Sequence, residues 1–387
     1  MSATDQMSEP SDPSGLRVLV FGTADLTKPR VRLLLKGLRL EGHEIIDCTR
    51  NIWAGVADKS QVRSKLSMLG LALNWFWSML VLSLRYLVAP KHDVVLVCYP
   101  GHLDLWFIRP LAWLRRKPVI WDAFLSAYDT IVLDRRMAEP GSLLGRLTYS
   151  LDWCACRLSD RLFLDTPSHA AFFSKAFRVP ANKVGSVPVG AEAPFARAKA
   201  LPAPDHDRAF RVLFYGQLIP LHGIDVILDA AEMLKDAPVR ITLVGQGQLS
   251  PLVNAWTEKH DTSILTAIDW VDYGDLPALI AAHDLCLGIF SGGDKAARVV
   301  PNKVYQIAAV GVPLLTRQSP AMDAYAGDAA GMTFVPPDNA AALAEAILKN
   351  RQAWISGTLL RPPASLALHA DTVGAALHAE LTAILKK

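Results

Sequence analysis

Short apolar runs alternate with stretches of helical spacing along most of the chain. Leu16–Gly22 (LRVLVFG) is β-branched and apolar and stops at a glycine, so it predicts a strand. Lys28–Glu41 carries its apolar residues at helical spacing, with Gly42 as the stop. Further strands are expected at His43–Asp47, Asp93–Cys98, Pro118–Trp121, Arg161–Asp165 and Val184–Val189. Ala191–Asp207 is rich in Ala and Pro without a period and reads as a linker. Strand and helix then alternate again, with strands at Arg211–Tyr215, Val239–Val244, Thr266–Trp270, Leu285–Ile289, Val312–Thr316 and Gly331–Val335. This alternation predicts an α/β chain of two domains, each a parallel sheet with helices on both faces. The expected units are a disordered tail at 1–15, a first domain at 16–190, a linker at 191–207 and a second domain at 208–364. Residues 365–387 form a closing helix expected to pack back on the first domain.

One segment departs from the alternation. Residues 66–84 (LSMLGLALNWFWSMLVLSL) carry no charge and are long enough to span a bilayer. A single span would separate two strands that belong to one sheet. An interfacial helix is therefore expected, with Trp75, Phe76 and Trp77 at the headgroup level. Arg63, Lys65, Arg85, Lys91 and Arg115–Lys117 stand ready for anionic lipid. A buried helix and a protein interface are the alternatives. The tail lacks a basic, apolar leader, and the five cysteines have no metal or redox spacing. A cytoplasmic protein, peripheral on the inner face of the cytoplasmic membrane, is the expectation. A net charge of +3 gives no argument for nucleic acid.

The chemistry is concentrated in the second half. Arg211–Leu249 reads as a βαβ unit with Gly216, Gly223, Gly245 and Gly247 at strand ends. There backbone N–H groups can approach a phosphate. Downstream, Pro301 and Asn302 open a helix beside Arg298 and Lys303, so that its first N–H groups, including that of Val304, can meet a diphosphate. Trp270 and Val271 follow the third strand of this half and suit a nucleotide base. In the first half, His102 and Asp104 follow one strand and Asp122 ends the next, which makes them candidates for proton transfer in a cleft. Gly22 and Arg30 lie in the loop after the first strand and are candidates for contact with acceptor or diphosphate.

These blocks, in this order, resemble GT-B glycosyltransferases of the retaining family 4 type, the glycosyl transferases group 1. The resemblance rests on Val187–Gly190, Gly216–Gly223, Val244–Gly247 and Tyr305–Pro313. It implies two Rossmann-like, doubly wound domains facing each other across a cleft. It also implies a nucleotide-diphosphate sugar of UDP or GDP type as co-substrate, with no metal or other cofactor. The apolar helix adds the expectation of a lipid-linked or glycan acceptor and a membrane surface as partners. The chain departs from the pattern at four positions. Gln217 and His222 stand where the family has a basic pair, and Arg298 and Gln306 stand where it has two glutamates. Gln306 would meet the donor ribose, Gly245 the nucleotide, and Gly216, Gln217, His222, Arg298, Asn302 and Lys303 the diphosphate. The departures keep open a weakened sugar-nucleotide-binding or scaffold protein, and another GT-B enzyme such as an epimerase.

Overall fold

The computed structural model describes residues 15–52, 65–198, 205, 207–260 and 263–386. Residues 1–14 of the expected tail, Arg63, and linker residues 199–204 and 206 lie outside the described residues.

The first sheet contains β1 (Arg17–Gly22), β2 (Glu44–Thr49), β3 (Val94–Val97), β4 (Val119–Asp122), β5 (Arg161–Leu164) and β6 (Val184–Ser186). Its order is β2-β1-β3-β4-β5-β6, and every pairing is parallel. The second contains β7 (Phe210–Tyr215), β8 (Val239–Val244), β9 (Leu265–Ile268), β10 (Leu285–Leu287), β11 (Leu314–Arg317) and β12 (Met332–Val335), in the order β12-β11-β10-β7-β8-β9 and again parallel. The strand order reverses at β1/β3 and at β7/β10. In open α/β sheets such switch points open crevices at the carboxyl ends of the strands.

The first sheet is covered by α1 (Pro29–Leu40), α2 (Lys65–Leu87), α3 (Asp104–Leu114), α4 (Leu143–Leu158) and α5 (Pro167–Ala176). The second carries α6 (Ile224–Met233), α7 (Ser250–Lys259), α8 (Leu276–Ala281), α9 (Asp294–Arg298), α10 (Asn302–Val310), α11 (Pro320–Ala326) and α12 (Ala340–Ile355). The last helix, α13 (Ala370–Leu385), returns to the first domain and packs on α1.

Period-two alternation sorts the first core into two faces. Val18 and Val20 pack with Leu34 of α1 and Leu377 of α13. Leu19 and Phe21 pack with Leu82 of α2 and Ile108 of α3. Between α1 and α13 the backbones nearly touch, because a Cβ on Gly37 would lie 2.6 Å from the Gly374 Cα.

The two domains meet through side chains. A π-helical turn at Asp129–Asp134 in the first domain faces α9 of the second. Arg298 donates to Asp129 at 2.8 Å, and Lys295 donates to Thr130 at 2.9 Å. The Thr166 hydroxyl donates to the Arg298 carbonyl. Neither of these short helical segments is among the elements expected from the sequence. Five- and six-residue helical turns are too short to carry a period.

Candidate active site

The donor half is built around two glycine turns. Gly216 (φ +141°) ends β7 and Gly245 (φ +145°) ends β8. A Cβ on Gly245 would lie 1.9 Å from the Gly216 carbonyl oxygen, so only glycine lets these turns cross. In front of Gly216 stands Lys303 from the first turn of α10, its Nζ 3.1 Å from where a side chain on Gly216 would begin. This lysine is 5% exposed. Its ammonium lies 3.6 Å over the Phe214 ring and 3.5 Å from the Gly288 carbonyl. Among the described residues no carboxylate pairs with it, and burial holds its pKa well below the ordinary 10.5.

His222 closes the same loop. Its Nδ1 lies 2.5 Å from the Gln217 carbonyl. Burial, then the charge of Lys303, and also that of Arg135 in the other domain, push its pKa well below the usual range. Gln217 is exposed and offers its backbone to this contact. The Val304 N–H is engaged within its own turn, donating to the Pro301 carbonyl at 2.9 Å. Asn302 is half-buried at the helix start. Trp270 is 66% exposed beyond β9, with Val271 half-buried beside it.

Gln306 belongs to a directional relay. The Tyr215 hydroxyl donates to its Oε1 at 2.9 Å, and its Nε2 donates to the Tyr273 hydroxyl at 3.3 Å. Tyr273 donates in turn to Glu192 at 2.7 Å, and Arg32 forks onto Glu192 at 2.8 and 2.6 Å. An amide serves both neighbours, accepting from one and donating to the other. A glutamate would turn a second acceptor toward Tyr273. Gln306→Glu is expected to lower stability by about 1–3 kcal/mol, although glutamate is what the resemblance expects there. Urea unfolding of the variant checks this, and unchanged stability would contradict the relay.

Arg298, expected at the diphosphate, instead reaches across the cleft. Its guanidinium meets Asp129 at 2.8 Å and stacks 3.9 Å over the Phe172 ring. The structure therefore offers it as a tie between domains rather than as a free base. Among the described residues, one oxygen of Asp129 (Oδ2) and the Arg298 Nε are buried without a hydrogen-bond partner.

The first-domain candidates are likewise engaged. His102 is buried, with Nε2 2.9 Å from Asp152 and Nδ1 2.5 Å from the Pro100 carbonyl. Asp152 also accepts from the Ser126 hydroxyl at 2.6 Å and from the Ala127 and Tyr128 N–H groups. It thus binds two cleft loops together. Sequence reading missed it, because one Asp in an amphipathic helix looks like any other polar position. Asp104 accepts from the Thr23 N–H at 2.6 Å and from Trp75 Nε1 at 2.8 Å. Burial raises its pKa against these donors. The missing side chain of Gly22 admits that carboxylate, since a Cβ there would lie 2.4 Å from Asp104 Oδ2.

Asp122 and Arg30 do not line the cleft as expected. They form a fully buried pair at 2.8 Å, and Arg30 also donates to the carbonyls of Val187 and Leu164. This pair ties α1 and β4 to the ends of the first domain's last strands. Trp75, expected against the membrane, turns inward, half-buried and edge-on to Phe107. Phe76 and Trp77 are exposed. Three consecutive helical residues point about 100° apart, so they cannot all face one way.

Comparison with known proteins agrees with this architecture. Residues 209–351, nearly the whole second domain, match the family described as Glycosyl transferases group 1. A stretch of 111 residues is 28% identical to WcaI of Escherichia coli (strain K12), named as a colanic acid biosynthesis glycosyl transferase. That stretch is 29% of this chain and 26% of the relative, so the match spans about a quarter of the relative's length. The fold likeness is broader. The catalytic domain of starch synthase IV from Arabidopsis thaliana, bound to ADP and acarbose, superposes with a TM-score of 0.67 at 12% identity, covering 97% of this chain and 100% of the other. Sucrose-phosphate synthase from Thermosynechococcus elongatus gives 0.62 at 14%, covering 96% and 95%. Anabaena HepE in complex with UDP-glucose gives 0.60 at 13%, covering 96% and 97%. At these identities the likeness shows the fold, which is GT-B.

Proposed function

We propose that this chain is a glycosyltransferase of the retaining, family 4 type. In this reading it moves a sugar from a nucleoside-diphosphate sugar to a lipid-linked or membrane-borne acceptor, without a metal. Its place is the inner face of the cytoplasmic membrane, held peripherally. Among the described residues no helix is long and apolar enough to cross a membrane.

The observation that carries the donor side is Lys303. A buried ammonium without a carboxylate is unfavourable unless an anion arrives to meet it. Gly216 leaves a gap for one directly in front of Nζ. Sugar transfer releases negative charge on the departing β-phosphate, and a fixed cation in a dry site stabilises that charge. Lys303 supplies it, with His222 beside it and Arg135 approaching from the other domain. The match of residues 209–351 supports transfer as the reaction. UDP-glucose and ADP in two structural neighbours support a nucleoside diphosphate as the leaving group. The test is turnover of UDP-, GDP-, ADP- and CMP-sugars with membrane extract as acceptor source. Absence of transfer and of slow hydrolysis with every donor would refute the enzyme reading.

Binding also has a pH signature. The depressed pKa values of Lys303 and His222 rise toward ordinary values when an anion binds, so the complex takes up protons. Affinity is therefore greatest at low pH and falls as pH rises through the depressed values. Calorimetry in two buffers of different ionisation enthalpy should register proton uptake above neutrality. Proton release would contradict the assignment.

A second reading, donor binding without turnover, is favoured by one observation. His102, Asp104 and Asp122 are all occupied by neighbours within the first domain. It predicts nucleotide binding with neither transfer nor hydrolysis.

A further inference from the structure

We infer that α2, α3 and α4 together form a docking surface for an anionic bilayer, and that α2 connects that surface to the cleft. The inference deepens the proposed membrane-borne acceptor and rests on it for the source of the substrate.

The three helices lie side by side, α3 packing between α2 and α4. Each buries one side in the core beneath and leaves an apolar side uncovered. On α2 the uncovered residues include Leu73, Trp77 and Leu84. Trp113 is 74% exposed on α3, and Leu143 and Leu147 are 76% and 57% exposed on α4. A row of large apolar side chains across three neighbouring helices exceeds what isolated surface leucines explain.

The charge around the patch selects its occupant. Arg85, Lys91, Arg116, Arg136 and Arg146 are exposed around these helices. The acids between residues 65 and 157 are almost all withdrawn. Asp104, Asp122, Asp129 and Asp152 are buried, Asp93 accepts from the Arg17 N–H, Asp134 pairs with Lys295, and Glu139 is left exposed. An apolar face with a positive rim matches anionic headgroups over acyl chains. A second copy would set the same positive rim against itself, because a two-fold contact brings like surfaces together.

Trp75 supplies the connection. It sits on the side of α2 away from Trp77, and its Nε1 donates to Asp104 at 2.8 Å. The other oxygen of Asp104 holds the Thr23 N–H at 2.6 Å. Thr23 follows β1, in the loop at the switch point of the first sheet. A helix seated in headgroups therefore holds the cleft loop through one indole and one carboxylate. An acceptor headgroup beside α2 and α3 enters next to that loop.

The test uses the full chain and vesicles of phosphatidylcholine with or without phosphatidylglycerol. The wild-type protein should float with the phosphatidylglycerol vesicles. Trp77→Ser with Trp113→Ser should abolish flotation, while the unfolding temperature and nucleoside-diphosphate binding stay unchanged. Arg85→Gln with Arg116→Gln should lower partitioning onto these vesicles about thirtyfold and leave binding to phosphatidylcholine alone nearly as it was. Undiminished flotation of the tryptophan pair would overturn the surface. So would a stable dimer in solution that Trp113→Ser dissociates. For the connection, vesicles should slow hydrogen exchange at the Thr23 amide in the wild type but not in Trp75→Phe, which still floats. Unchanged Thr23 exchange in the wild type would overturn it. Loss of the surface with nucleotide binding intact would leave the transferase reading standing, with a soluble acceptor.

Discussion

Lys303→Met is expected to make the unliganded protein more stable and to weaken its affinity for nucleoside diphosphates strongly. The two effects have one cause. Among the described residues no carboxylate meets this buried lysine, so its charge opposes folding until an anion neutralises it. Methionine fills a similar volume over Phe214 and carries no charge. A gain of about 1–3 kcal/mol is expected, with a rise in Tm of ~2–4 °C per kcal/mol. The sign of the pH dependence is fixed. A lysine with a folded pKa below 10.5 is protonated more readily unfolded, so the penalty is fully present below the folded value and disappears as pH approaches 10.5. The variant's advantage in Tm should therefore shrink at alkaline pH. Binding should weaken about a hundredfold or more, the usual consequence of removing one member of a desolvated charge pair. A variant that loses stability together with binding would show that Lys303 is structural.

Arg298→Ala is expected to loosen the two domains and to leave nucleotide affinity within a few-fold of the wild type. Truncation leaves Asp129 buried without its partner and uncovers the face of Phe172. Breaking such a pair typically costs about 3–5 kcal/mol. The loss falls on the contact between domains, because Asp129 and Arg298 come from opposite sides of the cleft. Small-angle scattering should report a larger radius of gyration, and Tm should fall. Asp129→Leu with Arg298→Met should recover most of the loss, because it leaves no buried charge unpaired. A fall in affinity of tenfold or more with compactness retained would instead make Arg298 a phosphate ligand.

These two residues show what the chain discloses in one dimension. Strands were legible because each is a short apolar run ended by glycine or a polar residue, and most ends agree within one or two residues. The donor turns were legible because Gly216 and Gly245 fall at strand ends in a βαβ unit. Pairings between distant residues were not legible. Arg30 lies 92 residues from Asp122, and Arg298 lies 169 from Asp129. No local period records such a partner. Charge alone therefore suggested that Arg30 and Arg298 were free for ligand, whereas each is spent on a carboxylate. Lys303 carried no better local signal than Arg298. What separates them is that no carboxylate among the described residues pairs with Lys303, a property of the fold. In α2 the helical spacing of Trp75, Met79, Leu82 and Tyr86 already marks an inward seam, so the inward turn of Trp75 was readable. The exposed faces of α3 and α4 extend the apolar surface well beyond the one segment that composition draws attention to.

On the proposed function, Lys303 waits for the diphosphate of a sugar nucleotide. Calorimetric titration of the full chain with UDP, GDP and ADP, wild type beside Lys303→Met, decides the point. Saturable binding of at least one of the three to the wild type is expected, with proton uptake, and binding weaker by about a hundredfold or more to a variant that is folded and more heat-stable. Binding of equal strength to both proteins, or of none of the three to the wild type, would contradict it.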